Sequence, residues 1–386
     1  MTTTVDPIRG FLPKHDPLLK LPPYFKPWED VAGELPKLLA NARARDAIDA
    51  MPALDAEKLR GNRQINRAMM LLSYLGHAYV WQDGKARDRL PAQLAVPWHA
   101  VATKCGRPPV LSYASYALDN WRRFDEEGPI ELGNIALLQN FMAGMDEEWF
   151  ILVHVEIEAE AAPAINAMKP AQQAARQDDA AGLLRQLSII GDAMDRMNQT
   201  LNRMPEKCDP YIYYNRVRPY IHGWKDHPLI PEGVYYEGVA EYAGRPQRFR
   251  GETGAQSSII PCVDATLTVS HAEDPLRAFL MEMRTYMPPA HVRFMEQLEK
   301  GKNVRKYVMK RGETDTPLMD AYNRCVNQLA AFRSKHLEYA ANYIFKQAQQ
   351  SAANPTGVGT GGTPFMPYLT KHRDESSQHL IPTHAR

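Results

Sequence analysis

The stretch LMDAYNRCVNQLAAFRSKHLEYAANY, residues 318–343, is a strongly helical run, and its reading sets the fold class. Apolar residues fall at Leu318, Tyr322, Cys325, Leu329 and Phe332, in alternating steps of four and three that mark the buried face of a helix. His336 takes the next place on that stripe, followed by Ala340 and Tyr343. An imidazole there must find a partner inside the protein, because an unpaired buried polar group is costly. From this helix alone two readings stay open: a core histidine satisfied by a carbonyl, or an axial ligand to a haem iron.

Outward from this run the chain keeps a helical pattern. The segment 147–161 repeats Phe150, His154, Ile157 and Ala161 on one face, and helices continue through residues 172–202 with Leu183, Leu187, Ile190, Met194 and Met197 inward. Earlier, Ile65, Met69, Leu72 and Leu75 belong to a buried helix expected to end near Gly76, and another is expected to begin in 113–121. Residues 7–36 are dense in proline and read as an extended arm anchored by Phe11, Tyr24, Phe25 and Trp28, not as a helix. Strand signals are scarce; Ile259-Ile260 and 266–269 are β-branched but short. The Gly-rich segment 351–363 reads as a flexible loop, and the tail after His372 as polar and poorly ordered. The expected fold class is all-α.

With 386 residues the chain can bury a substantial core. Hydrophobic residues at 44% and charged residues at 24% suit a soluble globular protein. Lys plus Arg (46) nearly balances Asp plus Glu (45), so no long-range field attracts a polyanion, and nucleic acid is not an expected partner. Cys105, Cys208, Cys262 and Cys325 are far apart and read as reduced thiols, not as a disulfide framework or zinc site. No basic patch precedes an apolar stretch at the N-terminus, and no uncharged apolar run is long enough to span a bilayer. The expectation is a cytoplasmic protein with no membrane partner.

A series of blocks then stands in order over roughly residues 10 to 370. They include Gly10-Phe11-Leu12-Pro13, Asp16-Pro17-Leu18, Tyr79-Val80-Trp81, Pro108-Pro109-Val110-Leu111-Ser112-Tyr113 and Asn120-Trp121. Later come Arg218-Pro219-Tyr220, Gln256-Ser257-Ser258, Tyr286-Met287-Pro288-Pro289-Ala290-His291, Arg333-Ser334 with His336-Leu337, and Gly359-Thr360-Gly361-Gly362-Thr363. Each block alone is weak evidence, but in register they make the chain resemble the indoleamine 2,3-dioxygenase family, haem enzymes that open the pyrrole ring of tryptophan. The resemblance implies a small N-terminal helical domain (1–143), a larger C-terminal helical domain (144–371) and a polar tail (372–386), with haem b (heme b) between the two domains. It also implies a monomer or weak homo-oligomer. The histidine of the Arg-Ser-x-His-Leu block is the family's proximal iron ligand, and that position is His336. A neutral imidazole on a rigid helix suits this role, since one nitrogen binds iron while the other donates to an acceptor that holds the ring. Arg333, one turn earlier on the same face, could pair with a haem propionate; the bland alternative is a surface arginine.

Across the haem, the family's helix carries an aromatic residue and, four positions on, a small side chain. Counting without gaps from Asn120-Trp121, or backward from Ala164-Ile165, brings these to Phe150 and His154. Animal members have serine where His154 stands, and the related tryptophan dioxygenases use a distal histidine. Three roles compete for His154: accepting from the indole N–H, stabilising bound oxygen, or ligating the resting ferric iron. A core histidine facing elsewhere is the fourth reading. The indole hydrogen bond is favoured, because an acceptor there fixes the ring and disfavours substrates lacking that N–H. Arg218 matches the arginine that pairs with the substrate carboxylate, a role in which lysine is a poor replacement. Tyr113, Phe150 and Tyr213 match a flat aromatic pocket, though each alone could be a core aromatic. Gly254 and Ala255 match a backbone segment over the haem edge, where small residues permit close approach. The 359–363 segment matches a lid from which Thr360 could contact the amino-acid end.

The expected activity is therefore insertion of both atoms of O2 across the indole 2,3 bond of tryptophan, or a related indole derivative, giving N-formylkynurenine. The alternatives are an enzyme of secondary metabolism using other haem chemistry on a tryptophan derivative, and a non-catalytic haem sensor. An assay for N-formylkynurenine separates the first of these from expectation, and a haem spectrum that answers to gas but not tryptophan marks the second.

Overall fold

The structure, a computed structural model, describes residues 5–271, 275–312, 315–350 and 365–382. Helix dominates. Among the described residues paired strands occur in two short places, Arg89–Leu90 parallel to Tyr235–Tyr236 and Trp121–Arg123 antiparallel to Ile135–Leu137. The all-α expectation holds.

Three helices frame the core. Met145–Arg176 and Ala180–Asn202 pack as a hairpin, and Thr316–Ala340 lies against the second of them. The hairpin turns through Asp178 at φ 59°, and Asp179 caps the next helix by accepting from the Gly182 amide at 2.7 Å. Met145–Arg176 is 32 residues long and opens with Asp146, Glu147 and Glu148 at the positive end of its dipole. Buried Glu147 also accepts from the amides of Phe141 and Met142, which fixes how the chain enters the helix. In Thr316–Ala340, Pro317 sits in the first turn, where a missing N–H is harmless, and Asp315 accepts from the Leu318 amide at 3.1 Å. Leu318, Tyr322, Cys325 and Leu329 are fully buried, as the stripe predicts.

Several local expectations are corrected. The proline-rich arm is helical in its second half, over Lys26–Gly33 and Leu35–Ala40; Pro27 and Pro36 occupy first turns, where proline is tolerated. Phe11, Phe25 and Trp28 are buried anchors, whereas Tyr24 is exposed. The helix expected to end near Gly76 runs over Gly61–Trp81. Gly76 marks close packing instead, since a Cβ there would lie 2.1 Å from the Trp98 ring. In 113–121 the chain makes a five-residue π turn, Ala114–Leu118, and then a strand. Of the two short β-branched segments, 259–260 opens and 266–269 closes the helix Ile259–Leu267, its buried face outweighing local propensity. Residues 373–382 are not a loose tail. They continue the helix Phe365–Ser377 with Ser376 buried, and Ile381 is buried and exchanges two hydrogen bonds with Asn323. Their polar side chains are partners of other polar groups, which composition could not reveal. The 351–363 loop lies outside the described residues.

Candidate active site

His336 projects from the last turns of Thr316–Ala340. Burial, with His154 as a second cause, pushes its pKa down to about 4, yet the residue remains accessible. Protein groups crowd the ring without covering it, and the fully buried partner-seeking histidine of the stripe reading is corrected accordingly. At neutral pH the ring is uncharged. Among the described residues neither ring nitrogen has a hydrogen-bond partner, so the acceptor expected to hold the ring is not among them.

His154 stands on Met145–Arg176 and is the electrostatic neighbour that His336 senses. Its Nδ1 lies 2.7 Å from the Phe150 carbonyl oxygen. A carbonyl only accepts, so Nδ1 carries the proton and Nε2 is left with a lone pair. Burial lowers the His154 pKa and keeps the ring neutral. The Phe150 ring lies 4.7 Å from His154 and 4.5 Å from Tyr213, and Tyr113 meets His154 edge-on at 6.0 Å. Tyr113, Phe150, His154 and Tyr213, chosen from sequence positions a hundred residues apart, thus form one aromatic cluster. Two wide turns place its outer members: Tyr113 directly precedes the π turn Ala114–Leu118, and Tyr213 opens the π turn Tyr213–Val217 that delivers Arg218. Such turns re-aim side chains relative to a regular helix and gather at functional sites.

Arg218 is fully buried and lies over the Tyr214 ring at 5.2 Å; burial lowers its pKa. Its segment is tied to Gly61–Trp81. His77 Nδ1 donates to the Tyr220 carbonyl at 2.7 Å while its Nε2 accepts from the Leu111 amide at 2.9 Å, and Trp81 Nε1 donates to the His222 carbonyl at 2.8 Å. Gly254 and Ala255 form the short turn Gly254–Gln256, and a Cβ added at Gly254 would meet nothing within 4 Å. Open space lies there, not a close protein contact.

Arg333 is buried, so the surface reading fails, but its guanidinium is already engaged. It donates to Asp264 Oδ2 at 2.6 Å and to Ser376 Oγ. Thr360 lies outside the described residues.

The sequence reading missed Glu158, one turn beyond His154. Its Oε1 accepts from the Tyr113 hydroxyl and from Ser257 Oγ, each at 2.9 Å, while Oε2 is buried without a partner among the described residues. Burial raises its pKa to about 7, opposed by those two hydrogen bonds. An acid in line with Phe150 and His154 on a buried face was the available signal. Glu252 was missed as well. It is buried, its pKa is raised to about 8 by burial, and its charge is felt by Tyr113, Tyr116 and Tyr213.

Comparison with known proteins covers nearly the whole chain. A family model described as indoleamine 2,3-dioxygenase matches residues 2–379. The chain is 37% identical over 390 residues to indoleamine 2,3-dioxygenase 1 of Rattus norvegicus, covering 98% of this chain and 94% of that protein. It is 34% identical to indoleamine 2,3-dioxygenase 2 of Homo sapiens, with 96% and 93% covered. It is 32% identical to indoleamine 2,3-dioxygenase of Saccharomyces cerevisiae, with 96% and 91% covered. The chain belongs to the indoleamine 2,3-dioxygenase family.

Proposed function

We propose that this protein is a haem b dioxygenase that cleaves the indole 2,3 bond of tryptophan with O2 to give N-formylkynurenine. The observation that carries the reading is the pair of neighbouring neutral histidines: His336, accessible on its helix, and His154, with its proton on Nδ1 and its ring against Tyr113 and Phe150. An iron ligand must be a neutral imidazole at working pH, and a pKa of about 4 meets that need. The open space at Gly254 leaves room for a cofactor edge. Haem, when bound through His336, supplies the oxygen activation that protein side chains lack.

In this reading the residues bind, orient and exclude water. Phe150 and Tyr213 present flat faces to the indole. His154 Nε2 accepts the indole N–H; with the proton on Nδ1 it is not suited to donate to oxygen, which favours the indole role over oxygen stabilisation. Arg218 pairs with the substrate carboxylate in a desolvated setting where a bidentate, charge-assisted bond is strong. No general base is required, so catalysis depends mainly on positioning. Arg333 acts on a propionate only alongside Asp264, which already shares its guanidinium. In the same reading Thr360 contacts the amino-acid end and the domain boundary lies at residue 144. The protein acts in the cytoplasm as a monomer or weak homo-oligomer, a setting that suits its free cysteines. Among the described residues no helix is long and apolar enough to cross a membrane.

Replacing His336 with alanine tests the ligand assignment. The expected result is loss of the haem absorption band and of N-formylkynurenine formation. Full haem content with full turnover in that variant would show the assignment to be wrong.

A further inference from the structure

His271 lies outside the proposed site, and both of its ring nitrogens face carboxylates. Nδ1 is 2.6 Å from Glu375 Oε2, and Nε2 is 3.2 Å from Asp264 Oδ2. An ionised carboxylate can only accept, so each contact asks the imidazole for a proton, and a neutral ring has one to give. The Asp264 oxygen that faces His271 also accepts from Arg333 at 2.6 Å, and Arg333 lies three residues before His336. Glu375 and Ser376 belong to Phe365–Ser377, Asp264 to Ile259–Leu267 and Arg333 to Thr316–Ala340. The ring therefore joins two helices directly, and the shared Asp264 oxygen links them to a third.

We infer that His271 is an imidazolium clamp that docks the Phe365–Ser377 helix and, through Asp264, positions Arg333 on the helix that carries His336. The extension to His336 rests on the haem-ligand reading; the docking of the helix does not. Other charged and titratable groups are close by. His372 stacks on His271 at 4.2 Å, Lys371 lies 3.5 Å from Glu375, and His379 Nε2 lies 3.1 Å from the amide and hydroxyl of neighbouring Ser270. Burial opposes a charge on His271 and so does Arg333, yet Asp264 and Glu375 prevail and its pKa is raised above 6.5. Burial, with His271 and Arg333, lowers the His372 pKa to about 4, so His372 stays neutral near pH 7, and Asp264 is held charged.

The sign follows. A histidine whose folded pKa exceeds its unfolded value stabilises fully below the unfolded value, and that contribution is lost as pH rises through the folded pKa. The clamp is closed below pH 6.5 and opens as pH rises through the raised folded pKa.

The test is the thermal midpoint of the full-length, haem-loaded protein between pH 6 and 9, for wild type, H271Q and H271K, with amide hydrogen exchange read over residues 365–377. The wild-type midpoint should fall relative to H271Q by at least about 2 °C across that range, and protection of 365–377 should fall with it. H271K, still charged at pH 9, should hold its low-pH midpoint. Parallel profiles for wild type and H271Q would overturn the clamp. If H271Q does not fold, wild type and H271K losing stability alike would overturn it too. The ligand atoms of His271, His372 and Glu375 lie within 4.8 Å of one another, so zinc is a further arm. A midpoint raised by zinc in wild type but not in H271Q would make this a metal site and overturn the proton reading. A clamp profile with identical haem bands in wild type and H271Q at pH 6, where only wild type carries the charge, would overturn the link to His336. Wild type that binds no haem at any pH would instead sink the proposed function, and midpoints of the haem-free protein would still decide the clamp.

Discussion

The proton on His154 decides what that residue can do. Because Nδ1 donates to the Phe150 carbonyl, Nε2 acts as an acceptor and suits an indole N–H. Wild type should therefore prefer tryptophan to its N1-methyl counterpart by about 100-fold or more in kcat/KM, and H154A should lose most of that preference. An unchanged ratio in H154A would remove the hydrogen bond from the account. Arg218 is the second residue whose chemistry is specific. R218K should lower kcat/KM roughly 100-fold, chiefly through KM, since an ammonium cannot reproduce a bidentate fork in a desolvated pocket. Steady-state kinetics decide it. Glu158 adds a pH dependence. In the folded protein it keeps its proton to about pH 7, against 4.5 for an unperturbed carboxyl, so stability falls as pH rises through that interval. E158Q lacks this loss, and its urea midpoint should gain on wild type between pH 5 and pH 8. A constant difference would mean that Glu158 does not titrate there.

At the scale of elements, the helices were legible wherever apolar residues recurred at helical spacing, as in the 318–343 run. What was not legible came from contacts between distant segments. Gly76 read as a helix end because glycine is a poor helix former, but the ring of Trp98 claims the space of its side chain. G76A should destabilise the protein by about 1–3 kcal/mol with its helix content retained, measurable by chemical denaturation. A neutral effect would mean that the two helices can separate freely. The π turns beside Tyr113 and Arg218 were invisible for a related reason. No residue type signals a wide turn, and periodicity alone continues through it. The helix Phe365–Ser377 escaped because its inward groups are polar, paired with Arg333 and His271.

For the whole molecule, the proposed site draws on segments spread along most of the sequence. Tyr113 comes from the N-terminal part, His154 and Glu158 from the first helix of the central hairpin, Tyr213 and Arg218 from the connection that follows, and His336 from the helix packed against that hairpin. His154, Phe150, Tyr113, Tyr213 and Arg218 were each named from ordered sequence blocks, and the fold brings the aromatic members into contact. Glu158, Glu252 and the Asp264 partner of Arg333 were not named, because a buried acid is recognised by its surroundings and not by its neighbours in sequence. The same assembly explains why one histidine on a helical stripe could not be assigned alone. Its role depends on what faces it, and His154 lies 182 positions earlier in a different helix (336 minus 154). The central claim is that these parts together perform a two-oxygen insertion into tryptophan. Turnover under heavy-isotope O2, followed by mass analysis of the product, tests it most directly. Wild type should yield N-formylkynurenine carrying two heavy oxygens, and H336A should yield none; a product with a single heavy oxygen, or equal turnover by H336A, would contradict the account.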